Sequence, residues 1–207
     1  MANPGAPDLQ TEFGGIDIYL FDQLQRRRLV APMRTLDAGC GGGRNLVYLL
    51  RAGFDVCATD GEPGAVDAVR RLAATLAPSL PSTNFRVEPV ERCSFADADF
   101  DVVVSSAVLH FARDEAHFLA MVGEMWRVLR PGGIFFCRLA SNIGMESRVE
   151  PLGNRRFWLP DGSERFLVDA PMLTALTERL GGKFIDPIKT TVVHDQRCMT
   201  TWVTRKA

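Results

Sequence analysis

The stretch RTLDAGCGGGRN, Arg34 to Asn45, sets the reading of the whole chain. Arg34 to Ala38 is a short apolar run of strand length. Four glycines follow at Gly39, Gly41, Gly42 and Gly43, and a helical run from about Arg44 to Arg51 closes on Gly53. Strand, glycine turn and helix in that order make a binding loop. Glycines let the chain turn tightly and let a ligand approach the backbone, while the free N–H groups that open a helix favour a carboxylate or phosphate. Such turns also occur without any ligand, so the loop needs a second feature to carry the reading.

Outward from the loop, short apolar runs alternate with helical ones. Strands are expected at Phe54 to Thr59, Asn84 to Glu88, Asp101 to Ser105 and Ile134 to Leu139. Helices are expected at Ile16 to Leu29, from Pro63 to before Pro78, at Glu115 to Leu129 and at Pro171 to Leu180. DVVVS, Asp101 to Ser105, is a continuous apolar run suited to a strand covered on both faces. The alternation predicts an α/β fold, a doubly wound and mostly parallel sheet. Two β-rich segments around His194 to Arg197 read as a final hairpin, and the Pro- and Gly-rich start reads as a frayed tail.

The chain has 207 residues and 22.9 kDa, a single domain's worth, with 46% apolar and 24% charged residues. That composition excludes disorder and small disulfide scaffolds. Lys and Arg number 24 against 25 Asp and Glu, so no basic surplus points to nucleic acid. The cysteines Cys40, Cys57, Cys93, Cys137 and Cys198 are scattered without metal-ligand spacing, and three dispersed histidines add none. No apolar run approaches the ~20 residues of a membrane span, and no signal-like start is seen. A soluble, cytoplasmic protein without a metal, nucleic-acid or membrane partner is expected, as monomer or homodimer.

Asp60 is the second feature. It closes the second strand about 20 residues after Gly39, the spacing at which an acidic side chain meets ribose hydroxyls in this architecture. A nucleotide-like ligand follows. Dinucleotide binders require GxGxxG, and counted from Gly39 or Gly41 the last position falls on Arg44 or Leu46, which disfavours a nicotinamide oxidoreductase. No GKS or GKT is present, which excludes a P-loop.

Four elements in order, LDAGCGGGRN, VCATD, FADADFDVVVSSAVLHF and MWRVLRPGGIFFCR, resemble the class I S-adenosylmethionine-dependent methyltransferases over about Leu36 to Leu139. The GRN, the short chain and VLHF are more weakly similar to tellurite-resistance-type methyltransferases. The resemblance implies a seven-stranded sheet with an antiparallel last strand and an S-adenosylmethionine cofactor. It also implies that Asp37, Gly39, Gly41 and Gly43 shape the pocket for the methionine part, that Asp60 binds the ribose, and that Cys40, Asn45 and Gly61 are cofactor contacts. The family's acidic adenine contact falls on Pro89 here, leaving the Val90 N–H and Glu91 as substitutes; Ser105 and Ser106 are expected beside the sulfonium. The implied layout is one domain with a tail and helix over 1–32, a cofactor-binding core over 33–140 and an insertion or lid over 141–170.

On the acceptor side, a base is optional for in-line methyl transfer, and His is the natural one where it is needed. His110, His194 and Arg197 are the candidate catalytic residues; His110 also reads as a packing residue and the final turn as an ordinary polar one. His117 reads as a surface residue. Candidate substrate contacts are Tyr19, Arg138, Arg155 and Trp158. Arg138 is a charge near the end of a central strand, so it either faces the pocket or is paired. Residues 141–170 form a connection far longer than the roughly 2 to 6 residues usual for such links. With Arg148, Arg155, Arg156 and Arg165 beside nearly as many acids, they read either as a lid for an anionic or planar acceptor or as a self-paired flap. The implied activity is methyl transfer to a small molecule. A cofactor-binding module without catalysis, or a nicotinamide oxidoreductase, are the alternatives.

Overall fold

A computed structural model describes residues 8–207. Its main sheet has eight strands and is doubly wound. The strands are β1 (Arg34–Ala38), β2 (Asp55–Asp60), β3 (Phe85–Val87), β4 (Phe100–Ser106) and β5 (Leu129–Ala140). An insertion carries β6 (Glu150–Gly153), β7 (Arg156–Trp158) and β8 (Glu164–Phe166), and β9 (Gly182–Phe184), β10 (Lys189–Val193) and β11 (Arg197–Lys206) complete the chain. Hydrogen bonding follows the order β10-β11-β5-β4-β1-β2-β3, with β9 also on β11. Only β11 runs against its neighbours, as expected for the last strand. The sheet order reverses between β1 and β4, and ligands of such sheets bind outside the strands' carboxyl ends at that point.

The strands are apolar because both faces are covered. Along β4, Val102 and Val104 pack on one side of the sheet and Val103 on the other, the two-residue alternation of a strand. The first side is closed by α2 (Ile18–Gln25), α3 (Val47–Arg51) and α4 (Pro63–Leu76), through Leu20, Leu49, Val66 and Val69. The second is closed by α5 (Glu115–Val128) and α6 (Ala170–Arg179), through Phe118, Met125, Leu173 and Leu176.

Three expectations need correcting. A short helix, α1 (Leu9–Phe13), occupies part of the stretch read as a frayed tail, with Phe13 stacked 5.0 Å from Tyr48; residues 1–7 lie outside the described residues. The next helix is shorter than Ile16 to Leu29, since Arg27 takes a left-handed φ of 55° and breaks it. An eighth strand, β9, follows Gly181 directly and pairs with the far half of β11.

The segment between β5 and α6 is ordered as a three-stranded antiparallel sheet, β6-β7-β8. Phe166 fixes it to the body: it is fully buried and stacks on Phe118 of α5, ring centroids 4.9 Å apart. Arg156 adds a hydrogen bond to the Ala112 carbonyl. Trp158 is 45% exposed and adds no comparable contact. Phe166→Ala is expected to cost roughly 3 kcal/mol in urea unfolding through the cavity it leaves, and Trp158→Ala under about 1 kcal/mol. Equal losses would show that the segment is held some other way.

Candidate active site

Two clefts open at the carboxyl edge of the sheet, on either side of Ala107. The larger, of about 690 Å³, is walled by Gly39, Gly41, Asp60, Gly61, Val90 and Glu91, all from the expected cofactor set, together with Pro89, Val108, Phe111, His117 and Met121. The glycine loop has the shape its sequence demands. Gly39 has φ 81°, and a Cβ there would stand 2.5 Å from Val108. Gly41 has φ 49°, and a Cβ there would meet nothing within 4 Å. Asp60 braces the loop: its Oδ2 accepts the Gly41 N–H at 2.9 Å and its Oδ1 the Glu62 N–H at 3.0 Å.

Asp37 lies beneath the loop, 1% exposed, with Oδ2 lacking any protein partner. Burial pushes its carboxyl up to about 7, the Arg44 charge opposing and the Asp60 charge adding to the effect. His117 is not a surface residue. Its Nδ1 accepts the Arg113 N–H at 3.1 Å, and its Nε2 stands 3.3 Å from Glu91 in the cleft wall.

Other expected cofactor residues serve the scaffold. Cys40 is buried, and burial pushes its thiol up. A side chain at Gly43 would press on Val69 at 3.1 Å, so its glycine serves helix packing. Asn45 accepts the Asp17 N–H at 2.9 Å, and Ser105 is fully buried with no partner for its hydroxyl. Ser106 accepts from Arg44 at 2.8 Å and donates to Asp17 at 3.3 Å.

The smaller cleft, of about 290 Å³, brings together His110, Arg138 and Arg197 from the expected set with Leu159, Asp161, Ser163 and Arg165 of the insertion. Ala107 lines both clefts and holds a left-handed φ of 66°, a strained conformation for alanine. His110 is 6% exposed, and its Nδ1 accepts the Ala140 N–H at 3.2 Å. Burial, with the Arg165 charge adding, pulls it down to about 4, so the ring is neutral and its proton sits on Nε2. Arg138 is both pocket-facing and paired, bonded at 3.0 Å to Asp17, whose side chain is wholly buried. Sequence reading passed over Asp17, which falls inside a helix read as starting at Ile16; in the structure it is the N-cap of α2. The unpaired look of Arg138 was the signal that a partner exists.

Four candidates fall outside this cleft. Arg155 turns away to Asp169, which takes up its charge. Trp158, at the end of β7, is exposed and absent from the lining. The Tyr19 hydroxyl bonds Thr191 at 2.8 Å, its ring 5.4 Å from the Arg138 guanidinium. His194 sits in the exposed β10–β11 turn with φ 49°. Among the described residues no group of His, Cys, Asp or Glu is placed to hold a metal, and no helix is long and apolar enough to cross a membrane.

Comparison with known proteins matches this architecture. Residues 36–137 match a methyltransferase domain model. A ubiquinone biosynthesis O-methyltransferase of Methylocella silvestris is 36% identical over 109 residues, 53% of this chain and 40% of that protein. The chain therefore spans less than half the length of this relative. Among solved structures, an S-adenosylmethionine-dependent methyltransferase of Methanosarcina mazei superposes with TM-score 0.69 at 23% identity, covering 88% of this chain and 96% of its own. The 1,6-didemethyltoxoflavin N1-methyltransferase of Burkholderia thailandensis, solved with its substrate and S-adenosylhomocysteine, gives TM-score 0.69 at 20% identity, covering 97% and 81%. Over residues 36–137, from the glycine loop to β5, the chain carries a methyltransferase domain, on a fold shared with S-adenosylmethionine-dependent methyltransferases.

Proposed function

We propose that the protein transfers a methyl group from S-adenosylmethionine to a small-molecule acceptor, the cofactor in the larger cleft and the acceptor in the smaller. The observation that carries this reading is Ala107, the wall common to both clefts at the carboxyl end of β4. A methyl group can pass only where the two sites meet, and a small side chain stands there.

The residues of the larger cleft fit the cofactor. Asp60 keeps carboxylate lone pairs for ribose hydroxyls beyond the two N–H bonds it accepts. Pro89 offers no N–H, which leaves the Val90 backbone and the Glu91 carboxylate for the adenine edge. The orphaned Asp37 oxygen suits a positive amino group. When bound, the cofactor supplies an electrophilic methyl group on a sulfonium. The protein's part is to aim the acceptor's lone pair and exclude water, and in this reading residues 141–170 act as the lid over the acceptor. His110 is not the base: its one free lone pair is spent on the Ala140 N–H, so it offers the acceptor a donor.

Titration of the full chain with S-adenosylhomocysteine, with NAD as control, tests the assignment. Asp60→Ala is expected to weaken S-adenosylhomocysteine by ~1 to 3 kcal/mol, through lost charge-assisted bonds. NAD binding instead, or an unchanged affinity in the folded variant, would remove the reading.

The same protonation states set a pH signature. His110, at about 4 in the fold and 6.5 ordinarily, contributes stability that is complete above 6.5 and is lost as pH falls toward 4. Asp37, at about 7 against 3.8, acts oppositely: its contribution is complete below 3.8 and is lost as pH rises toward 7. Between about 4 and 6.5 these slopes oppose one another. In urea unfolding across that range, His110→Gln is expected to make stability fall more steeply, or rise less, with pH than in the wild type, and Asp37→Asn to do the reverse. Parallel profiles would show that neither group is held as described.

A further inference from the structure

The smaller cleft is a wall of donors with little to receive them. Arg165 reaches it from β8 and Arg197 from the first residue of β11. Neither has a carboxylate within ion-pair distance among the described residues. The side-chain hydrogen bond that Arg165 makes goes to the carbonyl of its neighbour Glu164, 2.7 Å away, and its guanidinium lies 4.9 Å from the Phe111 ring. The other arginines of the same segment are matched: Arg148 with Asp195, Arg155 with Asp169 and Arg156 with Glu164. In the cleft itself Arg138 is matched by Asp17. Among the described arginines of the insertion and of this cleft, Arg165 and Arg197 alone have no ion-pair partner.

Asp161 is the single carboxylate in the lining. Its Oδ1 is occupied by the Ser163 N–H, at 3.0 Å, and by the Ser163 hydroxyl. One positive charge is therefore in excess, and the Nε2–H of His110 is a third donor. A guanidinium matches a carboxylate with two parallel N–H bonds, and such pairs strengthen as water leaves. At about 290 Å³ the cleft is at the small end of ligand pockets.

We propose that the acceptor is a small organic acid whose carboxylate is held by Arg165 and Arg197, with the His110 Nε2–H as a further donor. The word acceptor rests on the methyltransferase reading; the preference for an anion does not. Paired with two guanidiniums, the carboxylate is a weakened nucleophile, so it serves as the handle by which the rest of the molecule is turned toward Ala107. Because Arg165 belongs to the insertion and Arg197 to the final hairpin, an acid gripped by both joins two separate parts of the chain across the cleft.

The test is calorimetric titration of the full chain, with and without S-adenosylhomocysteine, using benzoate and phenylacetate against their uncharged amides. The acids are expected to bind about tenfold more tightly than the amides or better, and to weaken as salt is raised. Arg165→Gln and Arg197→Gln should each shrink that gap, and the double variant should abolish it. Asp161→Asn, which removes the one opposing charge, should tighten the acids and leave the amides alone. Both acids failing to bind at any soluble concentration, equal binding of acid and amide, or a gap that survives in the double variant would overturn the proposal. Failure of S-adenosylhomocysteine to bind would strike the methyltransferase reading instead, and the acid–amide comparison made without it would still decide this one.

Discussion

The contact on which the rest of the site depends is the buried carboxylate of Asp17 against the guanidinium of Arg138. A charge near the end of a central strand is tolerable only with a partner, because removing either member leaves the other desolvated and unmatched. Asp17 supplies that partner from the N-terminal segment, with its own N–H on Asn45 and its carboxylate also reached by Ser106 and, at 3.8 Å, by Arg44. One small anion thus gathers the start of α2, the residues after the glycine loop, the end of β4 and the end of β5. Arg138 lines the smaller cleft, and its carbonyl holds the Ala107 N–H at the wall common to both. Tyr19 extends it to β10 through Thr191, with its ring beside Arg138.

The two clefts differ in charge. The larger cleft is walled by acids, Asp60 and Glu91, with Asp37 behind them, a set suited to hydroxyl and amino groups. The smaller is walled by arginines and a histidine kept neutral by burial. The boundary between the two is the single residue Ala107, whose backbone is held by a 2.7 Å bond from its N–H to the Arg138 carbonyl. Its unfavourable φ is therefore set by the same strand that carries the paired arginine.

Much of this was legible in the chain because the deciding signals are local. The glycine run and Asp60 announced the larger cleft by spacing alone, and β4 and β5 announced a two-faced sheet by continuous apolar runs. What could not be read depends on partners distant in sequence. Asp17 and Arg138 are far apart along the chain, and nothing in either neighbourhood names the other. The strands of the insertion, EPLG, RFW and ERF, are too short and mixed to show a period, and they are strands only because they pair. Of the aromatics in this segment Trp158 is exposed and Phe166 is buried. Burial of an aromatic is decided by what faces it, here Phe118. His110 lines the smaller cleft, and its chemical part turns on a backbone N–H from β5 that fixes which ring nitrogen carries the proton.

The eighth strand has a consequence for how the sheet meets other chains. β11 is ten residues long and would, uncovered, offer a continuous row of N–H and C=O groups to any extended peptide. Instead β10 covers its first half and β9 its second, so the outermost row on that flank is broken into pieces of five and three residues. Between them the chain turns away after Ile185, whose N–H still bonds Val203. A foreign strand laid along this flank finds no run of edge long enough to register against. The fold thereby protects its one antiparallel strand from edge-to-edge aggregation by covering it in two short pieces rather than by leaving it at the rim.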